Sequence, residues 1–303
     1  MSGSGARLGI DIGGTKVALR IEDGHGARES VFRWPASADP RADRDALRAG
    51  VAELRRVWDR PVGAVGVAVP AALDAAGRVT AWPGRPGWAG LDLRGLLREL
   101  FPAVPVRCGD DGDLAALAEA GHAGVRHVLY VGVGTGVGGG IVLDGAPVPG
   151  PGRGSCEVGH LVIDRSGPPC DCGRRGCLQA FASGPATLRR AARLRGEPAG
   201  YDELREGLAT GRIWARAALR ETSAALATAV IGVTELVRPD AVIIGGGFAA
   251  GLPELVPGVR DHLRALARPG FPAPPVLPAR LGALSSLHGA LLLAKPTPPA
   301  DAP

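Results

Sequence analysis

Aromatic residues are scarce. Phe, Tyr and Trp make up 4% of the 303 residues, which argues against a surface built to stack nucleic-acid bases. Lysine is almost missing: Lys16 and Lys295 are the only two, and the remaining basic residues are Arg. These Arg are scattered along the chain, so the net charge of +5 implies no nucleic-acid partner. No apolar run approaches the roughly 20 residues of a membrane span, and a membrane partner is not expected. Met1 to Leu8 lacks the apolar region of a signal peptide, which makes a cytoplasmic location the expectation. The five Cys of such a chain are expected as thiols or metal ligands, not disulfides.

Gly and Pro, by contrast, are abundant at 47 and 27 residues. Together they approach the level that marks disorder, yet the chain is 46% hydrophobic and only 21% charged, too apolar to lack a core. The length suits one large domain or two of ordinary size.

Leu8 to Ile12, the turn at Gly13-Gly14 and Val17 to Ile21 read as strand, tight turn, strand. Val128 to Val133, the Gly134 to Gly140 cluster and Ile141 to Leu143 repeat that plan about 120 residues on, which points to a duplicated architecture with a cleft between the halves. Between them, Leu47, Val51, Leu54 and Trp58 recur at helical spacing, as do Leu91, Leu96, Leu97 and Leu100, while Val62 to Val69 reads as a buried strand. Pro147 to Cys177 shows little regular pattern. Helices are predicted at Ala186 to Leu194, Tyr201 to Ala209, Ile213 to Val237 and Leu287 to Ala294, with a buried strand at Ala241 to Ile244. Alternating strands and helices in both halves mean an α/β fold.

The segment Asp11-Ile-Gly-Gly-Thr-Lys16 is not a P-loop, because Thr precedes Lys and a β-type run follows. A Gly-Gly-Thr turn between strands can still offer N–H groups and a hydroxyl to phosphates, with Asp11 placed to hold Mg²⁺ directly or through water; an ordinary hairpin turn is the alternative. Gly134, Gly136 and Gly139 match a dinucleotide fingerprint in spacing but precede a strand where that fingerprint needs a helix, so Gly134-Thr135-Gly136 reads as a second phosphate loop. Cys170, Cys172 and Cys177 sit within eight residues, and tetrahedral zinc needs a fourth ligand. His160 is the nearest upstream His, giving a Cys₃His structural zinc site, with unpaired thiols as the alternative. Cys108 and Cys156 read as packing residues. In Gly109-Asp110-Asp111-Gly112-Asp113, Asp113 could cap the following helix, Gly121 could end it, and Asp111 could serve as general base in phosphoryl transfer.

Together with Glu157-Val-Gly-His160 and Pro239-Asp-Ala-Val-Ile-Ile-Gly-Gly-Gly247, this ordered set resembles the ROK family of sugar kinases and repressors, from about Leu8 to Leu292. The resemblance implies an actin-like ATPase (ribonuclease H-like) fold in two domains, 1-117 and 118-285, with sugar and ATP in the cleft between them. A C-terminal helix near 286-295 would pack back on the first domain, and 296-303 would form a flexible tail. Carried over, Asp111 is the catalytic base, and Asp11, Gly13, Gly14, Thr15, Lys16, Gly134, Thr135 and Gly136 face the ATP phosphates and Mg²⁺. Gly245, Gly246 and Gly247 lie near the adenosine. Asp110, Asp111, Glu157, His160 and Gln179 contact the sugar, while His160, Cys170, Cys172 and Cys177 hold zinc. Similar kinases are commonly homodimers. Repressors of the family carry an N-terminal winged-helix domain, for which no room is expected ahead of Gly9.

Three positions depart from the hexose-kinase pattern. Asp110-Asp111 stands for Asn-Asp, Cys177-Leu-Gln179 for Cys-Leu-Glu, and Gly84-Arg85 precedes Trp88 where an Asn is usual. An ionised Asp only accepts hydrogen bonds. Against a ligand ammonium it gains a charge-assisted bond, roughly twice as strong as a neutral one. In the hexose-binding members that the chain resembles, the Asn at position 110 bonds a hydroxyl on the C3 to C4 side of the ring, and an amino group at C3 of glucose describes kanosamine. The resemblance to ROK kinases of ansamycin antibiotic pathways therefore implies transfer to the 6-hydroxyl of that amino sugar as the expected reaction. A glucokinase, a C7-cyclitol kinase and a non-catalytic sugar sensor are the alternatives.

Overall fold

The computed structural model describes residues 5–37, 39–150 and 154–295, so the tail expected at 296-303 lies outside the described residues. Contacts divide the chain into two compact units: Met1–Ala118 with Gly150–Gly154 and Ser286–Pro303, and Glu119–Pro149 with Ser155–Ser285. Among the described residues, no helix is long and apolar enough to cross a membrane.

The first unit opens with a meander of β1 (Ala6–Ile12), β2 (Lys16–Asp23) and β3 (Gly26–Arg33). Next comes α1 (Pro40–Arg56), started by Pro40 and by the Asp39 side chain, which accepts from the Arg41 N–H, and burying Leu47, Val51 and Leu54 on one face. β4 (Val62–Ala68), a ribbon of β5 (Ala72–Leu73) and β6 (Val79–Ala81), α2 (Leu93–Leu100), β7 (Val106–Gly109) and α3 (Asp111–Ala123) complete its first stretch. The five-stranded sheet has the order β3-β2-β1-β4-β7, antiparallel on the meander side and parallel from β1 to β7.

The second unit repeats this layout. Its strands are β8 (Val128–Val133), β9 (Val137–Leu143), β10 (Ala146–Val148), β11 (Ala241–Gly245) and β12 (Val276–Pro278), in the order β10-β9-β8-β11-β12. The helices α4 (Leu178–Ala182), α5 (Gly184–Arg195), α6 (Tyr201–Ala209), α7 (Ile213–Val237) and α8 (Leu255–Leu266) follow, and their buried faces join the strands in one core that includes Leu129, Leu226 and Val242. The last helix, α9 (Ser285–Leu293), belongs almost wholly to the first unit, where Ala290 packs with Ala68 and Leu114.

Several expectations are corrected here. Only Gly134 to Gly136 form the second turn, since Gly138 to Gly140 lie inside β9, where the Tyr130 carbonyl leaves no space for a Cβ at Gly139. Helix α3 is capped by Asp110, whose Oδ1 accepts from the N–H groups of Gly112 (3.0 Å) and Asp113 (3.3 Å), so Asp113 is not the cap. That helix runs past Gly121 to Ala123, before Gly124 at φ +67°. Cys108 is exposed on β7 and is not a packing residue, whereas Cys156 is partly buried and its thiol donates to the Val148 carbonyl at 2.9 Å.

Candidate active site

In the first unit, strand register does the assembling. Asp11 pairs with Ala68, and Ala68 with Gly109, so Asp11 and the residue before Asp110 share one row at the carboxyl ends of parallel strands β1, β4 and β7. Ligand sites of open α/β sheets gather at this edge. Burial raises the Asp111 carboxyl to about 7, with the neighbouring charges of Asp110 and Asp11 adding to the effect. Burial likewise raises Asp11 to about 6, opposed by Lys16. A buried carboxyl repelled by two others is an arrangement that a cation relieves. Beside them the turn between β1 and β2 closes with the Gly13 N–H on the Lys16 carbonyl at 3.0 Å, leaving Thr15 and Lys16 exposed.

The second unit brings its own glycine motifs together in the same way. Gly245 pairs with Gly132 across β11 and β8, and the Phe248 N–H donates to the Val133 carbonyl at 3.0 Å. Gly246 takes φ +91° against the Val133 backbone, a place with no space for a Cβ. The Gly134–Gly136 turn closes at 2.9 Å, and the Gly134 carbonyl also accepts from Gly184 N–H at the start of α5, at 2.9 Å. Gln179 reaches this turn from α4, its Oε1 accepting from the Val137 N–H at 3.1 Å. The expected phosphate turn Gly134 to Gly136 and adenosine turn Gly245 to Gly247 are therefore neighbours, and Gln179 supports the first of them.

The expected metal ligands also converge. One donor atom from each of His160, Cys170, Cys172 and Cys177 can be chosen so that all lie within 4.8 Å of one another. The His160 Nδ1 to Cys170 Sγ and Cys172 Sγ to Cys177 Sγ distances are both 3.7 Å, and a zinc tetrahedron with thiolate bonds of about 2.3 Å has edges of about 3.7 Å. A hydrogen bond from the Arg174 N–H brings the exposed Cys172 thiol down to about 6, while burial and the neighbouring Cys push Cys177 up to about 11. Gly176, at φ +74°, lets the loop pass against the Asp164 carbonyl. The set fits a structural zinc, with no position left open for catalysis. Glu157 immediately precedes the 3₁₀ turn Val158–His160 and accepts from the Ser155 hydroxyl at 3.1 Å.

The ROK family model matches residues 7–297. The chain belongs to the ROK family. It is 53% identical over 293 residues to kanosamine kinase of Amycolatopsis mediterranei, a match covering 96% of this chain and 97% of that one. Among solved structures, the ROK hexokinase from Thermus thermophilus is 32% identical with a TM-score of 0.80, over 95% of this chain and 97% of that one. A ROK family glucokinase from Streptomyces griseus, in complex with glucose and AMPPNP, is 26% identical with a TM-score of 0.82, over 96% and 99%. The two like-ordered sheets and their helices are the actin-like ATPase fold of these kinases.

Two residues outside the motifs hold the Gly13-Gly14 turn: the Trp34 indole N–H, which no sequence signal marks, donates to the Gly13 carbonyl at 2.7 Å, and the Nε of Arg85, a departure from the hexose-kinase pattern with no assigned contact in the sequence, donates to the Gly14 carbonyl at 3.3 Å.

Proposed function

We propose that this ROK-family chain is an ATP-dependent sugar kinase that phosphorylates the 6-hydroxyl of kanosamine. The reading rests on one observation above all: the carboxylate of Asp110, held at the start of α3 beside Asp111, where two adjacent acids favour a cationic ligand group over a neutral hydroxyl. The likeness to the Amycolatopsis kanosamine kinase supports the same acceptor.

In this reading Asp111 takes the proton of the acceptor hydroxyl, and a carboxyl brought to about 7 is near the operating pH where a general base is most useful. Asp110 accepts a charge-assisted hydrogen bond from the C3 ammonium. Glu157 and the Nε2 edge of His160 hold further sugar hydroxyls, the Nδ1 edge being turned to the zinc ligands. Gln179 contributes through its amide nitrogen, since its Oε1 is engaged by Val137. Gly13, Gly14, Thr15 and Lys16, and Gly134, Thr135 and Gly136, hold the nucleotide phosphates, with Gly245 to Gly247 beside the adenosine. Asp11 would hold the Mg²⁺ of the nucleotide, which would supply charge neutralisation for the transferring phosphoryl group. A homodimer in the cytoplasm belongs to the same reading.

The test is turnover with MgATP across kanosamine, glucosamine, glucose and N-acetylated hexosamines, with the product's phosphate located by NMR. Kanosamine is expected to have the highest kcat/KM and to carry phosphate on O6. Glucose ahead of kanosamine would instead support a glucokinase, the activity of the Streptomyces relative.

A further inference from the structure

We infer that Arg85 and Trp34 are positioning residues that aim the N–H groups of the Gly13–Thr15 turn at the nucleotide phosphates, with buried Asp43 as their anchor; this rests on the phosphate role proposed above for that turn. Three consecutive carbonyls of the turn are held from one side. The Trp34 indole N–H donates to the Gly13 carbonyl at 2.7 Å, Arg85 Nε to the Gly14 carbonyl at 3.3 Å, and the Trp34 backbone N–H to the Thr15 carbonyl at 3.3 Å. In a planar trans peptide the C=O and the following N–H point in opposite directions. Tying down the carbonyls of Gly13 and Gly14 therefore turns the N–H groups of Gly14 and Thr15 away from Arg85 and Trp34. Two neighbouring N–H groups presented this way make an anion-binding concavity.

The anchor is built as a unit. Asp43, on α1, is fully buried, and its Oδ2 accepts from Arg85 at 2.6 Å and from the Trp88 indole at 2.8 Å. The Arg85 guanidinium also lies 4.8 Å over the Trp34 ring, whose edge meets Trp88 at 5.6 Å. The two donors of the rigid guanidinium, Nε toward the turn and Nη1 toward Asp43, cannot both be placed by the compact ammonium of Lys, even though the charge is kept. Asp43 holds the cation in the interior, and the cation reaches past it to the turn.

Removing Arg85 outright would leave Asp43 buried with only an indole, which threatens folding. The informative variants are therefore Arg85→Lys, which keeps the charge for Asp43, and Trp34→Phe, which keeps the ring and deletes one donor. Steady-state kinetics in MgATP and in kanosamine, together with calorimetric binding of AMPPNP, read the effect. Each variant is expected to raise KM for MgATP and weaken AMPPNP binding about tenfold, the loss of roughly 1.4 kcal/mol of hydrogen bonding, with KM for the sugar within about twofold. A purely structural role would lower active fraction without this split. Folded variants with unchanged KM for MgATP and unchanged AMPPNP affinity would overturn the inference while leaving the kinase reading intact. Wild-type protein that binds no AMPPNP would overturn both.

Discussion

Glu119 and Ser285 share a 2.7 Å hydrogen bond although 166 residues separate them in sequence. Glu119 is buried, and its carboxylate also accepts the N–H groups of Arg280 and Leu281, each at 2.9 Å. These two residues stand where the chain passes from one compact unit to the other, after Ala118 and again before Ser286. Glu119→Ala strands one buried and two partly buried donors, so a loss of about 2 kcal/mol in urea unfolding is expected. Ser285→Ala, which removes one donor, should cost about 1 kcal/mol.

Asp110→Asn tests the ammonium argument with little disturbance to the fold. Asp and Asn cap helices about equally well through the same side-chain oxygen, and Asp110 Oδ1 is the atom that accepts from Gly112 and Asp113. The thermal midpoint should move little. The kcat/KM ratio of kanosamine to glucose should fall about tenfold, the difference between a charge-assisted and a neutral hydrogen bond. An unchanged ratio would refute the ammonium contact.

The raised carboxyls of Asp11 and Asp111, at about 6 and about 7, bind protons in the folded state that an unfolded chain, with values of 3.8, would have released. Between those values the folded state carries more protons, so the contribution of both groups to stability falls as pH rises through this window. Asp111→Asn should abolish turnover yet raise the thermal midpoint by a few degrees at pH 8, with the gain vanishing near pH 4. Thermal melts of the ligand-free variant and wild type across this range check the sign. The kcat/KM of the wild type should climb as pH rises through about 7, when the base becomes ionised.

Purified protein should contain about one zinc per chain by elemental analysis. Cys172 is exposed, so Cys172→Ser opens no core cavity, and its effect isolates the metal. The variant should lose zinc and melt at a lower temperature, and sugar phosphorylation should fall because His160 and the neighbouring Glu157 lose their support. A variant that retains zinc and full activity would remove Cys172 from the ligand set.

Much of this was readable because the signals are local. Helix α7 occupies the predicted Ile213 to Val237, since its apolar spacing is unbroken, and three Cys in eight residues pointed to His160 without any fold. Other elements hid for physical reasons. Pro257 interrupts the pattern of α8, although in the first turn it costs the helix no hydrogen bond, and β3 is a largely polar edge strand. Gln179 and Arg85 could be singled out as departures but not explained. Their partners lie far along the chain, Val137 for one and Asp43 and Gly14 for the other. Gln179 is also the only side-chain carboxamide among the 303 residues, so no second example in the chain could show what such a group does here.

Helix α9 has a consequence for how the protein is made. Leu287 and Leu291 close on Gly9 of β1, Ala290 on Gly66 of β4, and Gly289 on Leu114 of α3, contacts so tight that none of these glycines could carry a side chain. A ribosome delivers β1 and β4 well before α9, so the first unit cannot complete its packing until α9 has emerged. Until then, a face meant for the interior stays open to water.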